Sequence, residues 1–266
     1  MHTNTHERDK NIVFIEEGHK YIINGETTNT YTSVTSFVKS QFPSFDPDFV
    51  IKRMKNSPKW PESKYFKMTD EEIKEMWNKS ASVATTEGTG LHKNIELYLN
   101  GQLENEPDSD EWGYFKQFIN NFNEEWYRSE WMIYDEDSRI CGTLDFMAKN
   151  PDGTFTIIDW KRSKNISEPR SLFISNTSYW HYTLQLNLYK YILEKNYNMS
   201  ISKLLIVQMH PETGLNVYKI PDYQTKLKQM IRTRRIKLHN KKILNEVKET
   251  LINNLIDNEQ GVDSGV

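Results

Sequence analysis

Apolar and polar positions alternate along this chain with two different periods, and the period marks each element. Ile12–Ile15 and His19–Ile23 flank Glu17-Gly18, which predicts an N-terminal β-hairpin. Tyr31–Val38 opens a helix with Ser33 in the N-cap position. Pro43, Pro47, Pro58 and Pro61 make Gln41–Tyr65 a loop with short helices. Thr69-Asp70-Glu71-Glu72 starts a helix that runs through Met76 and Trp77. A separate helix follows Gly88-Thr89-Gly90-Leu91 and carries His92, Ile95, Glu96 and Leu99. From about Glu111 to Tyr127, the residues Trp112, Phe115, Phe118, Ile119, Phe122 and Trp126 recur at helical spacing, a stripe read as core rather than as a base-stacking platform.

Strands are expected near Ser129–Tyr134, Arg139–Ala148 and Thr154–Arg162. The last two are joined by Asn150-Pro151-Asp152-Gly153, a strong turn signal. A helix over Thr177–Lys195 precedes a hairpin of Leu204–Met209 and Leu215–Ile220 around Pro211–Gly214. A long helix covers Tyr223–Ile256, and Gln260–Val266 is expected to be disordered. No internal repeat or interdomain linker is evident. Helices, three strands, a helix, two strands and a helix predict an α/β core around a mixed sheet.

Composition narrows the class. The 266 residues are 27% charged and 36% hydrophobic, which suits a soluble globular chain with a sizeable core. No apolar run approaches membrane-spanning length, and Met1–Arg8 lacks the apolar segment of a secretory signal, so an intracellular, cytoplasmic location is expected. Cys141 is the single cysteine, which excludes a disulfide framework, a four-cysteine zinc site and an iron–sulfur cluster. Net charge is −3, against a general nucleic-acid coat, yet Lys226–Lys242 is strongly basic. That stretch reads either as a phosphate-binding surface or as a solvated helix face.

The candidate chemistry sits on the predicted hairpin of Gly142-Thr143-Leu144-Asp145 and Phe155-Thr156-Ile157-Ile158-Asp159-Trp160-Lys161. Asp159 and Lys161 are two apart on one strand and leave the same face. The partner strand can bring Asp145 beside them. Two carboxylates can hold Mg²⁺, and the lysine can orient or activate a water or neutralise charge on a phosphate. The plainer reading is a hairpin with a wet polar face. The consecutive Ile157 and Ile158 argue for a central strand, where charges need a partner or a metal.

These residues, in this order, resemble the PD-(D/E)xK nuclease superfamily and in particular its RecB-like and viral exonuclease branch, to which mitochondrial genome maintenance exonucleases are related. The resemblance covers roughly Glu87 to Met209. Gly88-Thr89-Gly90-Leu91-His92 looks like the Gly-x-x-x-His motif, Gly142–Asp145 like Gly-x-x-Asp, Asp159-Trp160-Lys161 like (Asp/Glu)-x-Lys, and Gln185–Tyr189 like Gln-x-x-x-Tyr. The second motif residue is Asp where the family also uses Glu.

The resemblance implies a restriction-endonuclease-like α/β core, with a central mixed sheet flanked by helices and helical additions at both ends. Residues 1–83 would form the N-terminal hairpin and helical extension, 84–258 the nuclease core with its C-terminal helix, and 259–266 a flexible tail. Asp145, Asp159 and Lys161 would be catalytic. His92, Asp145, Asp159 and the Trp160 carbonyl would hold Mg²⁺, or Mn²⁺ in its place. Gln185, Tyr189, Glu96, Glu130, Thr89, Arg162 and Ser163 would support the site or contact DNA, with Lys164 a further phosphate contact. Thr89 is placed near a helix N-terminus suited to anions. Glu96 shares a helix face with His92 and could bind a metal-bound water or fix the imidazole. Trp60, Tyr65 and Trp77 either cover a single strand or pack locally. The implied activity is metal-dependent exonucleolytic cleavage of DNA ends or single strands in replication, recombination or repair, with a homo-oligomer or a recombination or replication partner protein left open. An endonuclease on the same core, a non-catalytic DNA-binding subunit and an RNA-directed nuclease are the alternatives.

Overall fold

The computed structural model describes residues 4–18, 20–26, 31–166 and 177–262, with side chains to residue 253. His19 of the predicted hairpin and residues 263–266 of the predicted tail lie outside them.

Strands β1 (Ile12–Ile15) and β2 (Lys20–Ile23) form the N-terminal hairpin, preceded by a short 3-10 helix over Glu7–Asn11. Then come β3 (Thr32–Ser33), α1 (Val34–Lys39), capped by Ser33 as expected, α2 (Pro47–Lys55) and α3 (Asp70–Leu99). Next are α4 (Asp110–Asn120), β4 (Glu125–Asp135), β5 (Ile140–Lys149) and β6 (Phe155–Lys161). The chain continues through α5 (Ser178–Asn196), β7 (Ile201–His210), β8 (Gly214–Lys219) and α6 (Gln224–Val262).

Among the described residues, β3 to β8 form one mixed sheet, in the order β3-β5-β6-β7-β8 with β4 on the other edge of β5. The predicted turn closes the β5–β6 hairpin, with Gly153 at a left-handed φ of 82°. β6 then pairs in parallel with β7. Its central place explains the apolar pair: Ile157 faces a core with α1, α5 and α6, and Ile158 faces a second core with α3 and α4. This is the expected α/β arrangement of a mixed sheet between helical layers. No helix among the described residues is long and apolar enough to cross a membrane.

Three expectations are corrected. Residues 70–99 are one helix of 30 residues rather than two, opened by a capping box between Thr69 and Glu72. The boundary drawn at residue 83/84 falls inside it. The aromatic helix stops at Asn120, so Trp126 and Tyr127 belong to β4, and Trp126 is exposed. The last helix is described to Val262, past the predicted Ile256.

Candidate active site

The pairing of β5 with β6 ends at Phe146 and Ile158, so Asp145 and Asp159 lie just where the two strands part. β3 rejoins the same edge of β5 only at Ile140 and Cys141. The interval between is closed by α5, whose Tyr189 hydroxyl donates to the Thr143 carbonyl at 2.8 Å. A Cβ at Gly142 would lie 3.1 Å from the Tyr189 ring, so the first glycine of Gly-x-x-Asp makes room for the tyrosine of Gln-x-x-x-Tyr. Thr143 is held from the other side by Tyr21 of the N-terminal hairpin, hydroxyl to hydroxyl at 3.0 Å.

Asp145 accepts from the Trp160 backbone N–H at 2.9 Å and lies 3.6 Å from His92 Nδ1. His92 Nε2 meets the Trp160 carbonyl at 2.9 Å. The Trp160 side chain is buried against Phe115, Phe118 and Phe146. Asp159 Oδ1 accepts from Gln185 Nε2 at 3.0 Å, and Lys161 Nζ lies 2.5 Å from Oδ2. That last contact seats the Lys161 ammonium directly on the buried Oδ2. Lys161 also sits 5.0 Å from the Tyr182 ring, a neighbour that no motif indicated.

Glu130 enters from β4. Ser129 pairs with Phe146 and Trp131 with Leu144, leaving Glu130 opposite Asp145. Its φ is 45°, a left-handed backbone that a glutamate rarely adopts and that an ordered site can hold. Donor atoms of His92, Glu130 and Asp145 lie within 4.8 Å of one another. Sequence reasoning gave Glu130 only a supporting place, whereas the geometry makes it a candidate ligand. Asp159 lies beside this group, held by Lys161 and Gln185.

The electrostatics suit a cation. Burial, with Asp145, Glu96 and Asp159 nearby, pushes the Glu130 carboxyl up to about 9. Burial and Asp145 raise that of Asp159, against the opposing pull of Lys161. Burial alone would lower Lys161, but Asp159 and Asp145 outweigh it and hold the ammonium protonated. Two carboxyls forced toward neutrality beside an imidazole fit a hard divalent ion, which would restore the charges.

Other expected residues are placed elsewhere. Thr89 is exposed and lies well inside α3, about five turns from the start of its own helix, so the expected placement at that helix's N-terminus is not met. Glu96 pairs with Lys93 at 2.9 Å rather than with the imidazole, but stays close enough to Glu130 to raise its carboxyl. Arg162 is clasped by Glu87 and Glu111, both at 2.7 Å, and binding a phosphate would require giving up these partners. The Ser163 carbonyl accepts from Gln208, and Lys164 pairs with Glu212. Tyr65 and Trp77 pack edge to face with a 3.0 Å hydrogen bond, and Trp60 packs on Phe66, which is the local-packing reading.

No curated protein matches the chain in sequence. Among solved structures it is similar to the crystal structure of SSO0001, at 16% identity over 80% of this chain and 78% of that one, with a TM-score of 0.35. It is also similar to a candidate exonuclease from Eubacterium rectale, at 12% identity over 57% of this chain and 67% of that one, with a TM-score of 0.38. Likenesses this distant carry no weight for fold or activity. The family model of the PD-(D/E)XK nuclease superfamily matches residues 62–255, well over half of the sequence, and the chain belongs to that superfamily.

Proposed function

We propose that the chain is a divalent-metal-dependent deoxyribonuclease of the RecB-like and viral exonuclease branch, cleaving DNA at ends or in single strands during replication, recombination or repair. The observation that carries this reading is the convergence of His92, Glu130 and Asp145 donors within 4.8 Å, beside the Asp159–Lys161 pair. Those three residues, with the Trp160 carbonyl and Asp159, would hold Mg²⁺ or Mn²⁺. Such an ion supplies charge to the phosphate and acidifies a water.

The protein's own groups divide the remaining work. Lys161 stays protonated against Asp159, so it serves as a fixed cation for the phosphate and the attacking water rather than as the base. Gln185 holds Asp159 in place, and Tyr189 holds the strand that carries Asp145. The Trp160 peptide joins the two halves, its N–H on Asp145 and its carbonyl at His92.

The test incubates the native protein and Asp159→Ala with end-labelled single-stranded, linear duplex and closed circular DNA, with Mg²⁺, Mn²⁺ or EDTA. Metal-dependent loss of linear DNA with circles spared and the variant inert is expected. Cut circles would point to an endonuclease, and intact DNA in both metals would sink the enzymatic reading.

A further inference from the structure

Helices α1 and α6 bound a cleft of about 570 Å³, lined by Phe37, Gln41, Lys226, Arg234, Lys237 and Lys241. We infer that this cleft binds the phosphate backbone of the same DNA strand that lies at the metal centre, several nucleotides from the cleaved bond. The inference rests on the nuclease reading for the identity of that strand.

Charge is the first reason. Arg234 is committed to the protein, donating to the carbonyls of Ser138 and Arg139 and to the Thr32 hydroxyl, so it builds the wall. Elsewhere on α6, Arg235 pairs with Asp137 and Lys242 with Glu246. Lys226, Lys237 and Lys241 are exposed and make no ion pair among the described residues. Their spacing puts all three on one helix face, over about 22 Å of helix length. In a chain of net charge −3, such a row is a local concentration rather than a general property of the surface.

Continuity is the second. From Lys161 the path crosses the Tyr182 ring at 5.0 Å. The neighbouring His181 ring stacks on Phe42, with centroids 4.2 Å apart and planes 15° apart. Phe42 directly follows Gln41 at the cleft. Tyr182 and Phe42 are half-buried against the core and wall this path, and the cationic groove at its end tracks a backbone with little regard to sequence. An acidic protein could use the lysines but has no use for the path to the centre.

The test changes Lys226, Lys237 and Lys241 together to Gln, with Lys10, Lys203 and Lys219 to Gln as the charge-matched control. Fluorescence anisotropy in Ca²⁺ reads binding of single strands of about 6 and about 30 nucleotides. The long strand should bind at least tenfold more weakly to the cleft variant, with a log K against log salt slope shallower by about 2. The short strand and the control should be unaffected, and circular dichroism melting checks the fold. Native affinity and slope on the long strand, or equal losses on both strands, would overturn the inference. Weakened long-strand binding by a protein that cleaves nothing would keep the inference and sink the nuclease reading. Cleavage with binding unchanged would do the reverse.

Discussion

Tyr189 occupies the space that a side chain at position 142 would need: a Cβ on Gly142 would meet the Tyr189 ring at 3.1 Å and Val34 at 3.2 Å, from two directions. Gly142→Ala should therefore lower stability by about 1–3 kcal/mol, as overpacking does. Tyr189→Phe should cost about 1–3 kcal/mol by leaving the Thr143 carbonyl without its donor. Urea unfolding measures both, and unchanged midpoints would show that the interlock does not matter.

Gln185→Ala removes the donor that fixes Asp159 Oδ1. The loss expected of a residue supporting a metal-site ligand is about 10–100-fold in activity, with the unfolding midpoint little changed. A Gln185→Ala enzyme with full kcat at saturating metal would remove Gln185 from the positioning set.

Glu130 predicts a pH dependence. Its folded-state pKa is raised, so the folded state keeps a proton that the unfolded state loses. Stability in EDTA should fall as pH rises from about 4.5 toward about 9. The burial and repulsion that raise Asp159 act in the same direction. Because an added divalent ion displaces those protons, its stabilising effect should grow with pH. Glu130→Gln should flatten the profile, raise Tm at pH 8 in EDTA and shrink the shift produced by Mn²⁺. Thermal melts across this range decide it, and a Tm that rises with pH in EDTA would contradict the assignment.

Lys161→Ala should abolish cleavage by at least about 10²–10³-fold while DNA binding persists. Lys161→Arg should restore little, since a planar guanidinium does not reproduce a compact ammonium at 2.5 Å from Asp159. Single-turnover rates paired with anisotropy separate the two effects.

Arg162→Ala should act on stability rather than on DNA affinity. It strands Glu111, which is only 8% exposed, and unties α3 and α4 from the end of β6. The expected loss is about 3 kcal/mol, as for a broken buried pair. Weaker DNA binding at unchanged stability would return Arg162 to the phosphate contacts.

The sheet was legible because its signals are local. Asn150–Gly153 marks the turn, Ile157-Ile158 marks a two-faced strand, and period two puts Asp159 and Lys161 on one face. The motif spacing also located His92 and Gln185. What stayed hidden depends on competition or on distance. Gly88 and Gly90 read as a break, yet each costs a helix only about 1 kcal/mol, and no other structure claims those residues. Trp126 keeps helical spacing, but the helix has already ended at Asn120 and β4 takes the residue. Glu130 owes its place to a left-handed backbone opposite Asp145, which no local pattern encodes. The partners of Arg162 come from two helices that precede it by dozens of residues.

The unbroken α3 has a mechanical consequence. Buried residues hold it at both ends, Leu91, Ile95 and Leu99 beside His92 and Ile73 near its start, with about 27 Å of helix between Ile73 and Leu91. Held at both ends, α3 acts as a strut, so a push on Trp77 along the axis is carried whole to the imidazole rather than absorbed at a joint.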